Sequence, residues 1–160
     1  MEIMHDMFLP INNFRRFSAY VGLSLGALAL SLAVIPAFGV RFHFFQAAIF
    51  MSAMLFGPLA GAATGAFAAG YNAFAMKNLY IIGGNAILGY FAAYFMRKHG
   101  ALKAVLIAYA IQLPYLVITD LLVGMSLMAV ASIACVLAVE NVICGAFAAK
   151  TRNYVAGLLA

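Results

Sequence analysis

Apolar residues run almost unbroken along the chain, and a few polar or turn-forming positions cut them into six segments. The segments cover 17–38, 45–56, 58–76, 81–96, 104–122 and 127–149. The breaks are GVRFHF, Gly57-Pro58, KNLY, RKHGALK and a turn at Gly124-Met125-Ser126. Runs of this length and apolarity predict helices. The second and fourth fall short of the roughly 20 residues of a full membrane span, so they are expected to be partly broken or extended by loop residues. Pro58 is placed to start the third helix, because proline is tolerated in a first turn. Along that helix Gly57, Gly61, Gly65, Ala69 and Ala73 recur every four residues. That spacing makes one bare stripe, which predicts close backbone packing against a neighbour.

Composition turns six apolar helices into a membrane protein. Of 160 residues, 68% are hydrophobic and 8% charged, where soluble domains carry about a quarter charged. A soluble fold this small leaves too much surface wet to hide such a sequence. The expected fold is an all-α integral membrane protein with six transmembrane helices. It forms one domain over 1–160, with an N-terminal segment at 1–16 and a bundle over 17–150. The opening MEIMHDMFLPINNFRRF is not expected to be a cleaved signal, since acidic residues precede the basic pair and the following run is too long.

Net charge is +5, but the charges sit at the ends of apolar runs and report topology rather than nucleic acid binding. Arg15, Arg16, Arg97, Lys98, Lys103, Lys150 and Arg152 fall on the side of the termini, and Arg41 and Lys77 on the other. Seven against two predicts both termini in the cytoplasm of a multi-pass plasma-membrane protein. Cys135 and Cys144 share one run, separated by about 13 Å of helical rise, too far for a disulfide. No Cys/His spacing suggests a metal.

Polar residues inside a bilayer are costly, so each needs a reason. Most gather toward the outer half: Gln46, Tyr71, Asn72, Lys77, Asn78, Tyr80 and Asn85, with Arg41 and His43 in the first outer hinge. Tyr109, Gln112, Tyr115, Thr119 and Asp120 lie within an arc of roughly 140° on the fifth helix. Pro114 among them frees a backbone carbonyl. Such a set of donors, acceptors and rings suits an outward-opening pocket for a small polar or heteroaromatic molecule. Plainer readings stand beside it. The tyrosines also serve as interfacial anchors, Asn72 and Asn85 as helix bridges, and Lys77 and Arg41 as snorkels. Asp120 could pair with Arg41 or Lys77. Glu140 and Asn141 lie within the sixth run, where a carboxyl must be protonated, paired, or facing water or protein. A ligand or relay role and a structural hydrogen bond are both open to it.

No phosphate-binding glycine loop, nucleophile elbow or H-E-x-x-H motif occurs. His5, His43 and His99 lie in different flanks. Catalysis therefore has no support in the sequence, and no enzyme is expected.

Three features resemble the S components of energy-coupling factor (ECF) vitamin transporters. SLAVIP (31–36) ends a helix rich in small residues. FGPLAGAATGAF (56–67) is similar to that family's L-G-P-x-x-G-A-x-x-G turn. IIGGNAILGY (81–90) opens a fourth helix. The resemblance covers about residues 15–150. It implies a subunit that binds a vitamin-like micronutrient from outside, docks on a membrane T component carrying two ABC-type ATPases, and topples to release it inside. ATP would be used by those partners, with no cofactor in this chain.

In that family small residues on the first helix form the docking face. Here Gly22 and Gly26, and Ala29 and Ala33, have the spacing, although counting back from Pro36 places Leu23 at one expected small position. MHDMFLP (4–10) also resembles the start of cobalt- and nickel-type S components, with His5 rather than a His at position 2. A non-transporting structural or assembly subunit is the alternative from a different class. Abundant Tyr and Phe with two intramembrane acids favour a cationic or hydrogen-bonding heteroaromatic ligand.

Overall fold

A computed structural model describes residues 8–37 and 40–160, with the backbone alone at 36, 37, 40 and 41. The resemblance at His5 to a metal-binding start lies outside the described residues. The order is α1 (Phe14–Leu32), β1 (Ile35–Ala37), β2 (Val40–Phe42), α2 (Gln46–Phe56), α3 (Pro58–Ala75), α4 (Tyr80–Met96), α5 (Ala101–Leu122) and α6 (Leu127–Leu159). Local chemistry sets several boundaries. The Asn13 side chain caps α1 by accepting from Arg16 N–H at 2.9 Å, and Ser126 caps α6 through Ala129 N–H at 3.3 Å. Gly57, at φ 96°, turns the chain so that Pro58 can open α3. Helices α5 and α6 are long and apolar enough to cross a membrane, while α2 and α4 are apolar but shorter.

Helix α2 is the centre of the bundle. It packs against α1, α3, α4 and α6, and nine of its 11 residues are buried. A helix apolar all round has no face for water and belongs inside. Phe50, Met54 and Leu55 of α2 pack with Leu88 of α4 and Val105 of α5. Close backbone approach between helices needs a face of small residues. The bare stripe of α3 supplies it. A Cβ on Gly61 would lie 2.6 Å from both Gly89 O and Ala53 Cβ, and one on Gly65 would strike the Asn85 carbonyl. Helices α3 and α4 thus touch backbone to backbone, as the four-residue spacing predicts.

Two expectations need correction. The first helix stops at Leu32 rather than 38. Pro36 disfavours helical backbone at Ile35, and the chain forms a short antiparallel ribbon pairing Ile35 with Phe42 and Ala37 with Val40. Among the described residues the fold is therefore six helices plus one two-stranded ribbon, and Ala33 is the cap of α1 rather than a member of its stripe. The last helix continues past 149 to Leu159.

That extension is held by arginines satisfying terminal carbonyls. Arg152 Nε donates to Met54 O at 3.1 Å, and Arg16 Nε to Leu159 O at 3.3 Å. The Leu9 N–H donates to Leu55 O at 2.7 Å, and the Arg97 guanidinium lies 5.4 Å from the Phe8 ring centre. The start of α1 and the ends of α2, α4 and α6 therefore meet at one cation-rich end.

Candidate functional site

The opposite end of the bundle holds a cavity of about 600 Å³. Val34 and His43 on either side of the ribbon, the start of α2, the end of α3, the start of α4, the second half of α5 and the first four turns of α6 enclose it. Glu140 lies 13 residues into α6, about 20 Å from its start. It forms the floor with Gln46 at the first position of α2. Asp120, two residues from the end of α5, lies at the rim.

The floor is built by hydrogen bonds between segments far apart in sequence. The His43 N–H donates to Glu140 Oε1 at 2.6 Å, and Gln46 Nε2 donates to Oε2 at 3.1 Å. A carboxylate only accepts, so the Gln46 amide must turn its nitrogen toward Glu140 and its oxygen away. That oxygen has no partner although Gln46 is 1% exposed. Gln112, 4% exposed on α5, also has an unpartnered amide oxygen. Buried polar atoms are nearly always satisfied, so both demand an explanation.

The rim is a second construction. Helix α3 ends with Lys77 in the left-handed region at φ 52°. Asn78 N–H returns to Ala73 O and Lys77 N–H to Phe74 O, the paired bonds of a Schellman C-cap. This turn buries Asn78, whose Nδ2 donates to Asp120 Oδ1 at 3.0 Å and whose Oδ1 accepts from Tyr80 N–H at 3.1 Å. Asp120 thus takes a neutral partner rather than Lys77. Between rim and floor, Tyr115 donates its hydroxyl to Tyr80 O at 3.2 Å. Gly83 makes room for it, since a Cβ there would collide with that hydroxyl.

Of the residues singled out from sequence, His43, Gln46, Tyr71, Asn72 and Tyr80 line the cavity. Asn85, Gln112, Tyr115, Asp120 and Glu140 line it as well. Asn78 stands behind Asp120, and Lys77 is exposed outside the cavity. The Arg41 side chain lies outside the described residues. Asn141 is fully buried away from the cavity, and neither of its amide atoms has a partner. One position along a helix turns about 100°, so a neighbour of Glu140 cannot share its direction. Tyr109 bridges helices instead, donating to Ala134 O.

Sequence reasoning missed the apolar wall: Phe45, Met125, Ile133 and Val136, with Ser132 among them. For Ser132, Ile133 and Val136 the only signal was position on α6 before Glu140. Among the described residues no group of three His, Cys, Asp or Glu side chains is placed to hold a metal ion.

A second, largely apolar groove of about 410 Å³ runs beside α1. It is lined by Gly22, Leu23, Gly26 and Leu30, by Ala47, Ala48 and Met51 of α2, and by α6 near Phe147 and Tyr154. Nothing lies within 4 Å of a Cβ built on Gly22 or Gly26. Ala29 is exposed on the same helix. No family model, curated protein or solved structure matches this chain.

Proposed function

We propose that this chain is the substrate-binding membrane subunit of an importer of the energy-coupling factor type, and that it captures a vitamin-like small molecule from outside the cell. The carrying observation is the cavity. Its volume of about 600 Å³ lies within the roughly 300–1,000 Å³ of small-molecule sites, and its mixture of apolar wall and few polar groups is that of a ligand pocket.

In this reading all six helices form the membrane bundle, with α2 too short to span alone and completed by the ribbon. Seven cations on the side of the termini against two on the other support cytoplasmic termini and a cavity facing outward. The groove beside Gly22 and Gly26 supports docking of a T-component helix, because small residues let a second backbone approach closely in lipid. Two ATPases on that partner would supply the energy, and toppling of the docked subunit would carry the cavity inward.

A non-transporting assembly subunit is the second reading. It is favoured by the hydroxyl chain Ser24–Thr64–Ser52, at 3.0 and 2.9 Å, which joins α1, α3 and α2 far from the cavity. Mass spectrometry of the denatured extract of purified protein separates the two. A stoichiometric small molecule is expected. A clean extract, with no thermal shift across a vitamin panel, would sink the transport reading.

A further inference from the structure

The floor of the cavity carries one acidic side chain, Glu140, beside the amides of Gln46 and Gln112. Glu140 has spent one acceptor site on each oxygen, and a carboxylate offers about four. The Gln46 amide nitrogen is committed to Glu140, which leaves its oxygen buried and without a partner. The Gln112 amide oxygen is likewise buried and without a partner. Among the described residues the hydrogen-bond donors to Glu140 are neutral, and no Lys or Arg lines the cavity. Among the described residues that line the cavity, Asp120 is the charge at the rim, about 12 Å along α5 from Gln112. Phe45 and Tyr115 provide ring surface between.

We propose that the ligand is a small organic cation whose N–H-bearing head seats on the floor made by Glu140, Gln46 Oε1 and Gln112 Oε1. This rests on the reading of the cavity as a ligand site and names the chemistry of what it takes. A cationic donor would satisfy both orphaned amide oxygens and balance the carboxylate in a poorly solvated place, where charge-assisted bonds are strongest. Tyr115 and Phe45 favour a flat body, since a cation gains over an aromatic face. A neutral acceptor or an anion would leave the two amide oxygens unpaired and add repulsion from Glu140. Asp120 at the mouth raises the local concentration of cations entering.

Three isosteric probes test this in the wild-type protein in nanodiscs: benzamidine (cation), benzamide (neutral) and benzoate (anion). Benzamidine is expected to bind about tenfold or more tightly than benzamide, the size of a charge-assisted contact over a neutral one, with benzoate weakest. Glu140→Gln keeps an acceptor for His43 N–H and is expected to bring benzamidine and benzamide level. The molecule released from denatured wild-type protein is expected to carry a basic nitrogen. If benzamide or benzoate binds as tightly as benzamidine, or the released molecule is neutral or acidic, the cationic head is wrong while the ligand site stands. If no probe binds and the extract is clean, both fall.

Discussion

The backbone N–H of His43 and the carboxylate of Glu140, 97 residues apart in sequence, meet at 2.6 Å. One side chain on α6 therefore fixes the chain just after the ribbon to the middle of the bundle. Glu140→Ala removes an acceptor from a buried N–H and from the Gln46 amide, which costs roughly 1–3 kcal/mol for each group left unmade. The Ala variant is expected to unfold at clearly lower temperature than Glu140→Gln, measured in detergent by scanning fluorescence. Equal midpoints would show that the contact carries no stability.

The contact of α3 with α4 makes a sharper prediction about single methyl groups. Gly65→Ala places a Cβ against the Asn85 carbonyl, where backbone cannot give way, whereas a Cβ on Gly70 of the same helix meets nothing within 4 Å. Gly65→Ala should lose about 1–3 kcal/mol or more from overpacking. Gly70→Ala should be neutral or slightly stabilising. Thermal midpoints and yield of monodisperse protein check the pair, and similar behaviour of both would contradict this packing.

Gly22 and Gly26 face the apolar groove with open space above them. Replacing either by Leu is expected to leave the fold and ligand affinity intact and to abolish uptake in cells. Parallel loss of ligand binding would instead make α1 part of the cavity.

Asn141 is buried with both amide atoms unpartnered, and Gly145, one turn on, lies against Val105 of α5. Asn141→Leu removes two unmet polar atoms at nearly equal volume. It should be neutral or should stabilise by about 1 kcal/mol or more. A marked loss, read from the thermal midpoint, would mean that Asn141 has a partner absent from the isolated chain.

Much of the bundle was legible because punctuation residues fall where helices end. Gly57-Pro58, KNLY and Gly124-Met125-Ser126 bound α3 to α6 within a few residues of their observed starts. The ribbon was not legible, since three residues per strand are too few to show a period of two. The end of α6 was missed because Lys150 and Arg152 look like a border. Arg152 instead turns back to a carbonyl of α2, a pairing that depends on tertiary neighbours. At the site, polar residues were visible by their cost in an apolar run. Asn141 was grouped with Glu140 by adjacency alone, and the apolar wall had no contrast to reveal it. Nor could sequence show that Gln46 would be committed on one side of its amide and bare on the other.

Helix α6 has 33 residues and rises about 50 Å, against roughly 30 Å of bilayer hydrocarbon. In a bilayer it could not stand upright and stay within the oil, so it would lean or protrude. Because α6 carries Glu140 at the cavity and Arg152 at the cation-rich end, its lean would be shared by the helices bonded to it there. Hydrophobic mismatch would then couple the orientation of the cavity to the thickness of the lipid around it.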